Sequence, residues 1–583
     1  MPELSGPAVG AGFGEPTLSD PDTAPLADPA AGSGAWPPAG TGSGAVAAFP
    51  ATGFSGTPAF GAADGGDLAS SPLPRAPWSG LPVDRLERLI ASLPVPTASP
   101  ALAALWMRLL TTDASPPDGG APGYFDAVRL EALRRSGFVE EAGRLSASLG
   151  DMTGAGNDDP LVLVTASRAA IAAGDAGRGC AGARRIPLKG DALRGPMRSE
   201  ALLMVAWCLA LKKNPETAGL AADLLRDQKV DAPIAIAALD AMATGGKPAI
   251  DGVGRAGLMD MKLLALAGVP LPGSAIEGAT PELLAVLALD DSAALDLRIA
   301  AAEGAAVANA IAPARLATLY ARAEFAGTIR QAPTAADLPP PLKRALLYQA
   351  AAGERQPVRK ARLVRALLDE ARGSGLYLVV ARMLADPIAD MPQISDIAWF
   401  SETAVEIDIA AGRYREALRW IDYGNTADPQ RQGGLVHWYT LIDIANPDPA
   451  APRGSSMRFA EQMAVRGGFP AELLQRLATV LDALQFNIPI PLWEAASRTP
   501  QNEKGFLPPT GVLPDLQTAA VQRDVARTVL LAIAALGPEG AAGANQIALG
   551  DTIRALQGAG LEIEARRLGF EALFLDWPRR TSG

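Results

Sequence analysis

Residues 394–429 read ISDIAWFSETAVEIDIAAGRYREALRWIDYGNTADP. An apolar helical run ends at Gly412, and a second run begins with the small Ala417 five residues later. Glycine reverses the chain at the end of a helix because it enters the left-handed region at little cost, and a small residue lets two helix backbones approach closely. The stretch therefore predicts two antiparallel helices joined by a tight turn. The same spacing recurs in SGFVEEA (Gly137, Ala142), AGDAGRG (Gly174, Gly179) and AGLEIEA (Gly560, Ala565). A single hairpin cannot cover its own apolar face, so the recurrence predicts a stack in which each pair completes the core of the next.

In 394–429 the turn residue Gly412 is followed by Tyr414 and Ala417, then by the bulky Ile421, the small Gly424 and the closing Pro429. On these positions the segment resembles a tetratricopeptide repeat. The other turns match less fully. Gly154 stands where 137–154 would close with Pro, Gly179 fills the small position in 174–186, and Pro578 comes one residue late, after Trp577, in 560–578. A further turn in KKNPETAGL (212–220) has Asn214 in place of glycine. The turns at Gly137, Gly174 and Asn214 are 37 and 40 residues apart, and 148 residues, four intervals of 37, separate Gly412 from Gly560. The chain is thus similar to a degenerate tetratricopeptide-like α-solenoid. The resemblance implies an all-α fold of stacked antiparallel helix pairs, whose inner helices line a concave groove for a peptide or protein partner.

Composition agrees with many short helices. Of the 583 residues 49% are hydrophobic and only 5% aromatic, so Ala carries much of the apolar content, and 60 Gly with 50 Pro supply the breaks. A net charge of −11 opposes broad binding to nucleic acid or to an anionic membrane, both of which need a basic field. No apolar run of about 18 residues is free of charge and Pro, so no membrane span is expected. The opening MPELSGPAVGAGFGEPTLSD lacks the basic and apolar regions of a secretory signal. As it stands the chain is expected in the cytoplasm, with the periplasm as the alternative if translation starts upstream at a signal peptide.

Residues 1–80 are rich in Gly, Ala, Pro, Ser and Thr and hold no Lys or Arg before Arg75. Such a segment cannot bury enough apolar area to offset its chain entropy, and it is expected to be a disordered acidic tail. Its scattered Phe13, Trp36, Phe49, Phe54, Phe60 and Trp78 read as linker residues or short docking elements. From Leu81 onward, the Pro-rich tracts 329–342 and 498–514 divide the chain into an N-terminal array (81–330), a central array (331–500) holding the 394–429 unit, and C-terminal hairpins (501–583). Residues 516–536 read as one helix with a single apolar stripe through Val521, Val525, Val529, Ala532, Ile533 and Leu536. Residues 565–577 read as a helix that buries one side through Leu568, Ala572, Phe574 and Leu575.

Residues that carry chemistry are few. His437 is the sole histidine, so it cannot build a multi-histidine zinc site, and beside Trp438, Tyr439 and Leu441 it reads as a packed residue. No metal or cofactor site and no catalytic residue is expected. Gly246-Lys247 fails as a phosphate loop, because Ala241 stands where that motif needs glycine and Pro248 follows the lysine. No G-x-S-x-G, S-x-x-K or H-E-x-x-H occurs. The carboxylate pairs Glu406/Asp408 and Asp290/Asp291 read as members of solvated helix faces. So do two basic stretches, Arg178 to Arg198 (with Arg184, Arg185, Lys189 and Arg194) and Arg355 to Arg365 (with Arg359, Lys360 and Arg362), for which a patch binding phosphate or an acidic partner is the alternative.

Cys180 and Cys208 are 28 residues apart, one on the second helix of a pair and the other on the first helix of the next. Stacking would bring them within disulfide range in an oxidising compartment; the alternative is two buried small hydrophobes. Aromatics concentrate around the best repeat, as Trp399, Phe400, Tyr414, Trp420, Tyr423, Trp438 and Tyr439. They either fill the core between helix pairs or form an exposed hot spot for a peptide. The leading expectation is a non-enzymatic helical-repeat scaffold or adaptor for a protein or peptide partner. The alternatives are an envelope-associated structural protein with a helical superstructure, and a hydrolase or lyase with an unrecognised site.

Overall fold

The computed structural model of the chain describes residues 70–579, apart from 121–122, 151–158, 189–192, 249, 251–254, 428–433, 449–450, 452–453, 455 and 501–503. Most of the expected tail, and the closing Pro429 and Gly154 of two expected repeats, lie outside the described residues. The described residues form an all-α protein: twenty-eight α-helices and three short 3-10 turns, with no strand beyond two isolated bridges. Prolines open helices here as well as ending them. Pro100, Pro160, Pro215, Pro233, Pro281, Pro313, Pro340 and Pro357 each occupy the first turn of a helix, where a missing amide costs nothing. Ser99, Asp159, Asn214 and Thr280 cap four of these helices through their side chains.

Consecutive helices pack as antiparallel pairs along the chain, and the pairs stack. The four expected turns share one geometry. Gly137, Gly174, Gly412 and Gly560 all have positive φ, and in each turn two amides bond back to carbonyls three and five residues earlier, as in Gly412 N to Ile409 O at 3.0 Å and Arg413 N to Asp408 O at 2.7 Å. The same closure recurs where no glycine marks it, at Lys229, Asn309, Gln485 and Arg523. Lys213, with φ 52°, takes the left-handed place expected for Asn214, which instead caps the following helix. Two runs of turns are evenly spaced, 137, 174 and 213, then 485, 523 and 560, at intervals of 37, 39, 38 and 37 residues. The small positions fit the close approach expected of them. A Cβ at Gly179 would meet Ile171 Cγ1 at 2.5 Å, and one at Gly424 would meet Leu435 Cδ1 at 2.6 Å.

Two expected helices differ in the structure. Residues 516–536 are split into Val512–Val521 and Val525–Leu536 by the turn at Arg523, and Asp524 caps the second helix by accepting from Arg527 N. Val521 is consequently not in the apolar stripe but 85% exposed. The helix expected over 565–577 runs Glu562–Phe574 and buries ten of its thirteen residues, so it is enclosed on all sides, while Leu575 beyond it is half exposed.

The buried core also runs across the expected domain boundaries. One cluster joins Trp78, Leu102 and Trp106 to side chains between Ala288 and Trp577; a second, between Val139 and Ala305, fills a lobe built on the helices from Pro160 to Leu289. The physical reason is closure of the stack. The Pro100–Thr111 helix packs against Val525–Leu536 and Glu562–Phe574. Ser71 N donates to Glu564 Oε1 at 3.0 Å, Ala98 N to Pro538 O at 2.8 Å and Ala101 N to Glu571 Oε1 at 2.8 Å. Residues 70–80, expected as the end of a flexible tail, are therefore part of the folded body, and Trp78 is wholly buried edge-on against Phe125, 5.1 Å between ring centroids.

Truncation at this junction tests the closure. Trp78→Ala is expected to cost about 3–5 kcal/mol, as for a buried aromatic that leaves a cavity. Trp493→Ala, at a half-exposed site, should cost well under about 1 kcal/mol. Urea unfolding of the two variants measures the contrast.

Candidate functional site

The seven aromatics around the best repeat belong to the interior. Phe400, Trp420 and Trp438 are buried, and Trp399, Tyr414, Tyr423 and Tyr439 are partly buried and packed against the same core. Trp399, Phe400, Trp420 and Tyr423 form a continuous edge-to-face chain with centroids 5.9, 6.2 and 6.0 Å apart. Tyr414 donates to Ala445 O at 2.9 Å, Tyr439 to Asp422, and Trp438 Nε1 to Glu402 Oε1 at 3.1 Å. These contacts weld the Ser401–Ala410 and Tyr414–Ala427 pair to the Trp438–Ala445 helix. Among the described residues the exposed aromatic side chain lies elsewhere. On the Ile490–Ser497 helix, Leu492 and Ala496 are buried, while Ile490 is 71% and Trp493 45% exposed, one turn apart on the outer face.

Charge is the larger surprise. All ten residues of the Ser401–Ala410 helix are buried, among them Glu402, Glu406 and Asp408, so the expected solvated face is an interior one. Glu406 accepts from Tyr377 and, at 3.0 Å, from Arg579 Nε, and the Arg579 guanidinium rests over the Tyr377 and Phe574 rings. Burial raises the Glu406 carboxyl above its ordinary value against the pull of Arg579. Burial likewise pushes Asp408 up to about 7, with Arg413 opposing. Two residues apart on a helix, Glu406 and Asp408 do not face one another, and each has its own surroundings. They do not make an acid/base pair. Asp290 and Asp291 also part company: Asp290 is held by Ser292 and Lys262, Asp291 by Arg298 and Arg322.

The segment around Arg579 is itself anchored. Trp577 is buried and stacks with His437 (14° between planes), and His437 Nε2 lies 2.8 Å from Pro578 O, which makes that nitrogen the donor. Arg579 also donates to the carbonyls of Phe574, Leu575 and Trp577. His437 is thus the packed residue its neighbours suggested, and its ring faces a segment 140 residues further along the chain.

A second charged cluster joins the two cores. Arg168 clasps Glu282 at 2.9 Å through Nε and also meets Glu200, while Arg134 binds Glu131 at 2.7 Å and approaches Glu282 at 3.6 Å. These side chains line a cleft with room for about one water. Nothing in the sequence singled them out, because the five residues come from four different helices.

Cys180 and Cys208 are disulfide-bonded, with Cα atoms 5.6 Å apart, and the bond joins Ala176–Ala183 to Gly195–Ala210. Four members of the basic stretches have partners within the fold. Arg178 caps the carbonyls of Ala147 and Gly150, Arg198 reaches Leu188 O and Gln228, Arg359 pairs with Glu354 and Arg365 with Asp369; Lys189 is outside the described residues. Among the described residues no group of three or more His, Cys, Asp or Glu could hold a metal ion, and no helix is long and apolar enough to cross a membrane. No protein-family model, curated protein or solved structure matches the chain.

The raised Asp408 carboxyl sets a pH dependence. The folded chain keeps this proton up to about pH 7, whereas the unfolded chain releases it near 3.8. The favourable contribution of the neutral acid is therefore complete below the lower value and is lost as pH rises through the upper one. Relative to the parent, Asp408→Asn should gain stability between these limits, by at most about 1.4 kcal/mol per pH unit, and level off above. Urea unfolding across that pH range checks it.

Proposed function

We propose that the chain is a non-enzymatic helical-repeat scaffold that holds a protein partner, in the manner of the tetratricopeptide-like arrays it resembles. The observation that carries this reading is the outer face of Ile490–Ser497, where Trp493 and Ile490 stand in solvent one turn apart, and where Val465, at the end of the Met457–Val465 helix packed against it, is exposed as well. Tryptophan is the residue most enriched at binding hot spots, since one side chain removes a large apolar area from water at small entropic cost. Glu494 and Arg498, paired at 3.1 Å on the same helix, supply a polar rim. The matching partner is an amphipathic segment that offers an apolar stripe to Trp493.

Photo-crosslinking tests it. A photoreactive residue in place of Trp493, in cell extract, is expected to trap one discrete protein, whereas the same residue in place of Leu220, an exposed apolar position on another helix, should trap none. Trp493→Ala with Ile490→Ser should abolish co-purification of that protein with melting unchanged. Absence of any discrete adduct at position 493 would overturn the reading.

The disulfide supports a second proposal, about place. A bonded Cys180–Cys208 pair is expected to persist in an oxidising compartment, which favours an envelope-associated array over a cytoplasmic one. Alkylating free thiols in intact cells before lysis should leave both cysteines unmodified. Quantitative labelling of both would place the chain in a reducing compartment and end this reading.

A further inference from the structure

The residues that follow the Glu562–Phe574 helix, 575–579, form a compact turn. Arg579 closes the turn on itself by donating to the carbonyls of Phe574, Leu575 and Trp577. Leu575 and Asp576 face solvent and Pro578 is half-buried, whereas Trp577 is inserted fully into the protein. The turn therefore lies at the surface with one ring plugged inward, a pre-organised shape of the kind that binds at small entropic cost.

The slot that receives it is built by segments distant in the chain. His437 lies nearly parallel to the Trp577 indole, Phe469 meets it edge-on with centroids 5.5 Å apart, and Trp438 flanks it at 6.4 Å. His437 Nε2 also donates to Pro578 O at 2.8 Å. Beside this pocket the buried Glu406 accepts from Arg579 Nε at 3.0 Å. An aromatic pocket, a donor to a main-chain carbonyl and a buried carboxylate for a guanidinium are the means by which proteins read short peptides, and here they read a segment of the same chain. The walls do not depend on their occupant, because Glu406 keeps the Tyr377 hydroxyl and Trp438 Nε1 keeps Glu402.

Two costs fall on the seated segment. Trp577 Nε1 is buried without a hydrogen-bond partner, so the indole gives up its bond to water and gains none in return. Arg579 also brings a second guanidinium to the Tyr377 ring, which Arg372 already faces at 4.5 Å. Burial, and then the like charge of Arg579, pull Arg372 below its ordinary value.

We propose that this slot is a peptide-recognition site in which Trp577, Pro578 and Arg579 sit as a resident ligand, and that a partner-protein segment carrying an aromatic residue with an arginine two positions on displaces them. The site shares no residue with the Trp493 face, so either reading can fail alone. Trp577→Ala with Arg579→Ala in the full chain empties the slot. A fluorescein-labelled Leu-Asp-Trp-Pro-Arg amide is expected to bind this variant saturably in an anisotropy titration, and the parent at least about tenfold more weakly. Adding Glu406→Gln should weaken binding by at least about tenfold, and a peptide with Ala for both Trp and Arg should not bind. Should the double variant fail to fold, the parent chain gives the answer: excess unlabelled peptide is expected to speed deuterium uptake over 575–579 and to leave the Glu562–Phe574 helix unchanged. No saturable binding by the folded double variant, equal binding of the Ala-substituted peptide, affinity unchanged by Glu406→Gln in a folded chain, or, where only the parent folds, uptake unaltered by peptide would each overturn the proposal. A parent dimer that the double variant abolishes would assign the slot to the same segment of a second copy, and would overturn it as well.

Discussion

The Glu562–Phe574 helix is enclosed by protein although it carries Glu564, Arg566 and Glu571 on its buried surface. A charge taken out of water and left alone costs several kcal/mol, so the helix is tolerable inside only because each ion finds a partner. Arg108 pairs with Glu564 at 3.0 Å and Ser71 N adds a second donor. Arg566 binds Glu562 at 2.6 Å and Asp443 O at 3.0 Å. Ser99 and Ala101 satisfy Glu571. Those partners lie on the first helices and on the middle of the stack. The requirement to neutralise one helix thus fixes the positions of segments hundreds of residues away, and it turns a row of hairpins into a closed arrangement.

The hairpin rhythm was legible at Gly137, Gly174, Gly412 and Gly560, because the left-handed conformation is cheap for glycine, but not at Gly268 and Gly467, which close with the same two bonds. It was silent at Lys229, Asn309, Gln485 and Arg523, where residues with side chains adopt the same conformation and the packing of both flanking helices outweighs a strain of about 1–2 kcal/mol. This is why 516–536 reads as one amphipathic helix: a stripe at helical spacing does not reveal a reversal at Arg523. The possible Cys180–Cys208 bond was legible for the opposite reason, since it depends only on neighbouring helices.

The interior charges were not legible at all. Glu406 looks like a surface acid until Arg579 and Tyr377 are placed against it, and neither is near it in the chain. Aromatic content misled in a related way. A cluster of large rings marks either a thick core or a binding face, and local sequence holds nothing that separates the two; Trp420 and Trp438 went inward. Trp493, in a short Pro-flanked helix, gave no such signal, yet among the described residues it is the ring left in water.

Closure of the stack also bears on how the chain is made. Ser71 and Glu564 are 493 residues apart, so the surfaces that receive Glu564 and Glu571 are synthesised long before the helix that fills them. Translation proceeds at roughly 5–20 residues per second, which leaves the side of the Pro100–Thr111 helix that meets Val525–Leu536 and Glu562–Phe574 uncovered for tens of seconds on the nascent chain. The middle hairpins stack on neighbours already present and need not wait. Burial of the opening helices therefore reports that the distal helix has emerged from the ribosome, and a prematurely terminated product would display that uncovered seam to the chaperones and proteases that survey unfinished chains.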